Sequence, residues 1–149
     1  MSKFKKKAFY CGDYVNTDVI SPGRFEPYQG SDHLASIALI DYDSTPPFVD
    51  PELKKSPYAV IFGGIEFGCG SSRETAPQAL YYAGVRVIIA KSFARIFFRN
   101  CINMGLIYPI IFDHPFTQER IGETVSVDLE NRYFILGEQQ YHYQSLGDI

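Results

Sequence analysis

Residues suited to capturing a small anion crowd one stretch of this chain, Gly63-Gly64-Ile65-Glu66-Phe67-Gly68-Cys69-Gly70-Ser71-Ser72-Arg73-Glu74. The stretch leaves an apolar run that reads as a strand and enters an expected helix. Gly68 and Gly70 would let the backbone approach a ligand closely, and the unpaired amides of a first helical turn offer donors and a positive partial charge. Arg73 adds a planar fork matched to a carboxylate or phosphate. Ser71 and Glu74 also fit a Ser-x-x-Glu capping box, and a cap alone would explain both residues. It would not explain why two serines and an arginine follow two loop glycines at a strand terminus, so anion capture stands somewhat ahead of it. Pro77 removes an interior donor and moves the expected helix start toward Thr75.

Two other chemistries compete for the same residues. Gly68-x-Gly70-x-x-Arg73 resembles the dinucleotide fingerprint G-x-G-x-x-G, but Arg73 occupies the third glycine, and the next apolar run ends in Lys91 where a ribose-binding acid is required. A serine hydrolase needs a G-x-S-x-G elbow, and the chain has none. Cys11, Cys69 and Cys101 are an odd number of cysteines at wide spacing with no C-x-x-C pair. They form no local ligand loop, so no metal or cluster is expected on this chain, and they suit reduced thiols in a cytosol. His33, His114 and His142 lie in no motif and read as surface or packing residues.

The elements that must position the loop follow from periodicity. Ala8 to Val15 reads as a first strand, and Asn16 to Gly23 as a turn-rich segment dense in residues that bond their own backbone. Ser31 to Tyr42 reads as a helix capped by Ser31 or Asp32, and the proline-rich stretch from Ser44 to Pro57 as a surface loop. Tyr58–Gly63, Val85–Ala90 and Leu106–Phe112 are continuous apolar runs typical of buried strands. Between them lie two expected helices. One runs from Ser71 to Ala83 and is closed by Gly84; the other runs from Phe93 to Met104, capped by Ser92 and ended by Gly105. The resulting order is a βαβαβ core with a partly parallel sheet, whose functional loops belong at the carboxyl ends of the strands. From Glu123 onward the pattern alternates, which predicts short antiparallel strands as a C-terminal cap.

At 149 residues the chain suits one domain over residues 1–149. Its net charge of -3 argues against a nucleic-acid partner. No apolar stretch is long enough to cross a membrane. The basic cluster Lys3, Lys5, Lys6 and Lys7 is followed by no signal-peptide core and reads as a solvated lead-in to the first strand. A cytoplasmic setting is the expectation.

With these residues in view a family resemblance emerges. Phe67-Gly68-Cys69-Gly70-Ser71-Ser72-Arg73-Glu74 with Ala76-Pro77, then Ser92-Phe93-Ala94-Arg95-Ile96-Phe97 with Asn100, Asn103, Gly105 and Leu106, resembles the signature of aconitase-type swivel domains. Asn16-Thr17-Asp18-Val19-Ile20-Ser21-Pro22-Gly23-Arg24-Phe25 is similar to the D-T-D-x-I-x-P-x-R-F/Y loop of isopropylmalate dehydratase small subunits. The resemblance implies an α/β fold, the swivelling three-layer β/β/α domain. It also implies a hydro-lyase acting on a small hydroxy-dicarboxylate or tricarboxylate, with a separate large subunit as partner. That large subunit carries a four-iron four-sulfur cluster whose open iron acts on the departing hydroxyl. Carried over, Ser71 would take the proton from carbon, Ser72 and Arg73 would bind substrate carboxylate, and Asp18 would sit in the shared site. The substrate this resemblance implies is isopropylmalate in leucine biosynthesis, with homoaconitate and dimethylmalate as alternatives; a non-catalytic carboxylate-binding module is the rival from another class. Three departures stand out. Thr75 replaces the usual histidine, Phe25-Glu26-Pro27-Tyr28 matches neither common version of the substrate-distinguishing loop, and no extended C-terminal helix precedes Ile149.

Overall fold

The structure is a computed structural model that describes residues 3–144. Its elements in chain order are β1 (Lys3–Tyr10), α1 (Thr17–Ile20), α2 (Ser31–Ile37), β2 (Tyr58–Gly63), α3 (Thr75–Tyr82), β3 (Val87–Ala90), α4 (Arg95–Met104), β4 (Tyr108–Ile111), β5 (Thr124–Asp128), β6 (Tyr133–Leu136) and β7 (Gln139–His142). The seven strands form one mixed sheet in the order β4-β3-β2-β1-β5-β6-β7. β1 to β4 run parallel, while β5, β6 and β7 join them as antiparallel neighbours.

Both faces of the parallel half are apolar, as the continuous runs predict. Phe9, Ile61 and Ile88 point into a core shared with the helices. Their alternates Ala8, Tyr10, Val60, Phe62, Val87 and Ile89 join a second core with Val125, Val127, Phe134 and Leu136 of the antiparallel half. Two strands separate β2 from β6 along the sheet, yet the Phe62 and Phe134 rings lie 5.6 Å apart. The sheet must therefore curl until its antiparallel half covers the face opposite the helices, giving the expected three-layer β/β/α arrangement. The turn is made within β1. Its first half pairs with β5 and its second with β2, and the register slips between Lys7 and Ala8, where an irregularity bends the strand.

Several boundaries differ from those expected. The lysine cluster is not a lead-in, because Lys3 to Lys7 form the β1 ladder opposite Thr124 to Asp128 while most of their side chains stay exposed. β1 ends at Tyr10 instead of Val15. The segment beyond it keeps company with the chain leaving β2 through isolated backbone bonds. α2 stops at Ile37 because Leu39 turns to φ 54° and gives its N–H to Ile20 O; its N-cap is Gly30, not Ser31 or Asp32. The turn-rich segment after Val15 contains the single helical turn α1. Gly105 closes α4 in the left-handed conformation at φ 65°, as its position predicts. Among the described residues no helix is long and apolar enough to cross a membrane.

Candidate active site

The loops leaving β1 and β2 at their carboxyl ends travel side by side and build the site together. Gly64 N–H donates to Gly12 O at 3.1 Å, Tyr14 N–H to Ile65 O at 2.7 Å, Gly68 N–H to Val15 O at 2.7 Å and Thr17 N–H to Cys69 O at 2.8 Å. Asp13 Oδ1 accepts from Ile65 N–H at 2.8 Å, and Gly64 is a glycine because an added Cβ would lie 2.0 Å from that oxygen. The segment after β3 closes the third side. Phe67 N–H donates to Ser92 O, Ala94 N–H to Phe67 O, and the Ser92 hydroxyl accepts from Glu66 N–H at 2.8 Å. Ser92 is therefore a tether of the loop and not the cap of α4, whose N-cap is Ala94.

The capping box is absent. α3 begins at Thr75, Glu74 holds the N-cap position with no side-chain bond, and Ser71 lies four residues ahead of the helix. The displacement follows from Pro77, which without an N–H is tolerated within the first turn but not deeper. Freed from capping, Ser71 meets Thr17, a buried residue of α1. The Thr17 hydroxyl donates to Ser71 O at 2.9 Å, and its oxygen lies 3.3 Å from Ser71 Oγ. The loop glycines make close contacts within the chain. Gly68 takes φ 85°, with Phe97 where a Cβ would stand, and Gly70 takes φ 100° against Asn16 and Thr17.

Arg73 joins the remaining expected residues. Its Nη1 donates to Glu26 Oε1 at 2.8 Å and lies 3.4 Å from the Tyr28 hydroxyl. Its Nη2 is 3.3 Å from Asp18 Oδ1, and its Nε is buried with no partner among the described residues. Asp18 is aimed by α1. The Asn16 side chain caps that turn by accepting from Asp18 N–H at 2.8 Å and Val19 N–H at 3.1 Å, and Asp18 Oδ1 accepts from Gly23 N–H at 2.9 Å. A Cβ on Gly23 would come within 2.7 Å of Arg73 Nη2, so the arginine reaches Asp18 across a glycine. The Tyr28 hydroxyl donates to Ser21 O, while Thr75 puts its hydroxyl 3.0 Å from that of Ser21 beneath the cluster.

Asp18, Glu26 and Tyr28 thus converge on Arg73, while Ser71 meets Thr17, the residue before Asp18. Ser72 is exposed beside them, Pro27 is exposed on the loop, and Phe25 turns aside to pack its ring edge against His33. Arg24 faces away, stacked on Phe25 and forked onto Asp41, whose carboxyl that bond holds below the usual range. Sequence reasoning missed Asn16 and Thr17 as individual contributors. The run Asn-Thr-Asp-Val carries an N-cap signal for the first, but nothing local announces that Thr17 meets Ser71.

All three cysteines are free thiols. Cys11 and Cys101 are buried, with burial pushing the Cys101 thiol up to about 12 and raising that of Cys11 as well. Among the described residues no three His, Cys, Asp or Glu side chains gather as metal ligands. The polar cluster lies on an open ledge, with the Asp18 and Glu26 side chains 65% and 55% exposed. A cavity of about 730 Å³ lies at the other end of the parallel strands, lined by Tyr58, Arg86, Cys101 and Tyr108, and contains no residue of the polar cluster.

A family profile described as the aconitase C-terminal domain matches residues 41–115. The 3-isopropylmalate dehydratase small subunit of Pyrobaculum islandicum is 42% identical over 135 residues, which cover 89% of this chain and 78% of that protein. The homoaconitase small subunit of Thermus thermophilus is 40% identical over 141 residues, covering 87% and 77%. The crystal structure of 3-isopropylmalate dehydratase from Methanocaldococcus jannaschii superposes with a TM-score of 0.77 at 36% identity, covering 98% of this chain and 86% of that one.

Proposed function

The chain belongs to the aconitase C-terminal domain family, and from that membership we propose that it is the small subunit of a hydro-lyase that interconverts 2- and 3-isopropylmalate. The activity depends on a large subunit and falls in leucine biosynthesis, in the cytoplasm. The observation that carries the proposal is the convergence of Ser71, Arg73 and Asp18 on one open ledge at the carboxyl ends of β1 and β2. An open ledge is half a site. It suits a domain that closes over a substrate held by a partner.

In this proposal the four-iron four-sulfur cluster belongs to the large subunit and supplies Lewis acidity at the departing hydroxyl. This chain supplies the proton chemistry and the grip. Ser71 Oγ takes the proton from the carbon next to the leaving hydroxyl, a role that requires the alkoxide to be stabilised. Thr17 supports that by holding a hydroxyl 3.3 Å from Ser71 Oγ. The Thr17 proton, given to Ser71 O in this structure, can rotate onto Ser71 Oγ when that oxygen becomes anionic. Arg73 and Ser72 bind a substrate carboxylate, Asp18 holds the guanidinium in place, and the loop of Phe25, Glu26, Pro27 and Tyr28 faces the group that distinguishes substrates.

The test is coexpression with a large subunit, anaerobic reconstitution with iron and sulfide, and an assay of 2-isopropylmaleate hydration. Ser71→Ala should cut turnover by about a hundredfold or more while leaving the complex intact on size-exclusion chromatography. Wild-type turnover by the variant would remove Ser71 from catalysis. Tight dicarboxylate binding by the isolated chain, with no association to any large subunit, would favour a non-catalytic binding module. The homoaconitase name of the Thermus thermophilus relative supports a second reading within the same chemistry, in which homoaconitate replaces isopropylmaleate.

A further inference from the structure

We propose that the cavity at the amino ends of the parallel strands is a second ligand site, built for a small amphipathic anion with one carboxylate or phosphate head on an apolar body. It does not depend on the function proposed above, because the cavity lies at the end of the strands opposite Ser71 and Arg73 and neither residue lines it. The opening has a structural cause. At Lys7, β1 pairs with both of its neighbours, Tyr58 of β2 and Thr124 of β5; from there back to Lys3 it pairs with β5 alone. The curled sheet therefore splays at this end and leaves a wedge of about 730 Å³, within the usual range of small-molecule sites. Tyr58 and Tyr108, the first residues of β2 and β4, line it from the parallel half, Leu129 from the chain after β5 and Leu106 from the chain after α4.

The charge of the lining has one sign. Lys6 and Arg86 reach the cavity and no Asp or Glu does, and among the described residues neither cation is held in an ion pair. Arg86 is also fixed in place. Its N–H donates to Ala59 O at 2.8 Å and its carbonyl accepts from Tyr108 N–H at 2.9 Å, which locks its backbone between β2 and β4. Its Nη1 donates to Tyr81 O and Val85 O, both at 2.9 Å, and the guanidinium carbon stands 4.1 Å from the Tyr81 ring centroid. Nη2 and Nε are left without a protein partner among the described residues, and these two donors form the side of the fork that matches a pair of anionic oxygens. A guanidinium already held still gives up little freedom on binding. The lining also sets the ligand class. A zwitterion would bring its ammonium group beside two cations with no carboxylate to receive it, whereas a simple anion meets both cations and lays its apolar body against the tyrosines and leucines.

The experiment titrates the purified full chain calorimetrically with 1-naphthylacetate, 1-naphthyl phosphate and the matched neutral 1-naphthylacetamide. At least one anion should bind with a Kd on the order of 100 μM or tighter, and at least about tenfold more tightly than the amide; the tighter anion identifies the head group. Arg86→Gln should weaken that anion by about tenfold or more, and Arg86→Lys, which keeps a charge but not the fork, should weaken it less. Lys6→Gln changes an exposed side chain, so it tests the charge without disturbing the fold, and it too should weaken the anion. Lys5→Gln, on a residue outside the lining, should bind as wild type does. No saturable binding of either anion overturns the proposal, as does equal affinity for anion and amide. Equal losses in Lys5→Gln and Lys6→Gln would reduce the effect to general attraction by the basic strand and overturn it as well. Sedimentation at the same concentrations covers the remaining occupant. A dimer that dissociates in Lys6→Gln would show that a second copy of the chain fills the opening, which also overturns the ligand site.

Discussion

Gly68 shows how narrowly individual residues constrain this site. Its φ of 85° already disfavours any side chain, and an added Cβ would lie 2.2 Å from Phe97 Cγ and 2.5 Å from Phe97 Cβ. Phe97 is buried among Phe67 and Phe93, so it has little room to retreat. Gly68→Ala should therefore destabilise the chain by roughly 2–4 kcal/mol, the sum of left-handed strain and overpacking. Urea unfolding of the purified chain measures this, and a change below about 0.5 kcal/mol, the range of a neutral surface substitution, would show that the loop relaxes away from Phe97. Of the two loop glycines expected to make room for ligand, Gly68 makes room for an aromatic ring and Gly70 lies against Asn16 and Thr17. The backbone approach that glycine permits is real, but its partner is set by tertiary contact.

At the scale of elements, α1 has the smallest margin. Four residues form one turn, too short to persist without outside support, and the support is the Asn16 side chain bonded to Asp18 N–H and Val19 N–H. Asn16→Ala removes about 1 kcal/mol of capping, enough to let α1 fray and carry Asp18 away from Arg73. The expected result in the reconstituted enzyme is a rise of KM by about fivefold, the equilibrium equivalent of that loss, with faster amide hydrogen exchange at Asp18 and Val19. Asn16→Asp, which keeps an acceptor, should behave as wild type. Unchanged exchange at those amides in Asn16→Ala would mean that the bond from Thr17 to Cys69 holds the turn unaided.

Across the whole molecule, His114 ties the chain after β4 to the carboxyl end of β2. It is buried after β4, its Nε2–H donates to Gly63 O at 2.8 Å, and its Nδ1 accepts from Phe116 N–H at 3.1 Å. Both ring nitrogens are committed in the neutral form, and the ring packs against Phe62 and Phe116. Burial, and to a smaller degree Lys91, lower its pKa below the usual 6.5, while the Gly63 bond and Asp113 act the other way. The folded state thus resists a proton that the unfolded chain accepts. This stabilisation is complete above the ordinary histidine value and is lost as pH falls below it through the folded pKa. Thermal unfolding midpoints of the purified chain should drop as pH is lowered from 7 toward 5, and His114→Gln should flatten that slope. Parallel slopes for the two proteins would assign the acid sensitivity to other groups.

Much of this arrangement could be read from the sequence because its causes are local. The apolar run Tyr58–Gly63 matches its strand to the residue, Gly105 takes the left-handed turn its place requires, and the alternation after Glu123 becomes three antiparallel strands. Side-chain period and turn chemistry need no distant partner. Contacts made far along the chain decided the rest. Lys3 to Lys7 became a strand only because Thr124 to Asp128 lies beside them, and Ser92 left the helix to accept from Glu66. Ser71 found Thr17 across 54 residues, and Glu26 found Arg73 across 47. The residue types of the site were legible in the sequence, whereas their pairing arose only when the curled sheet brought two loop ends together.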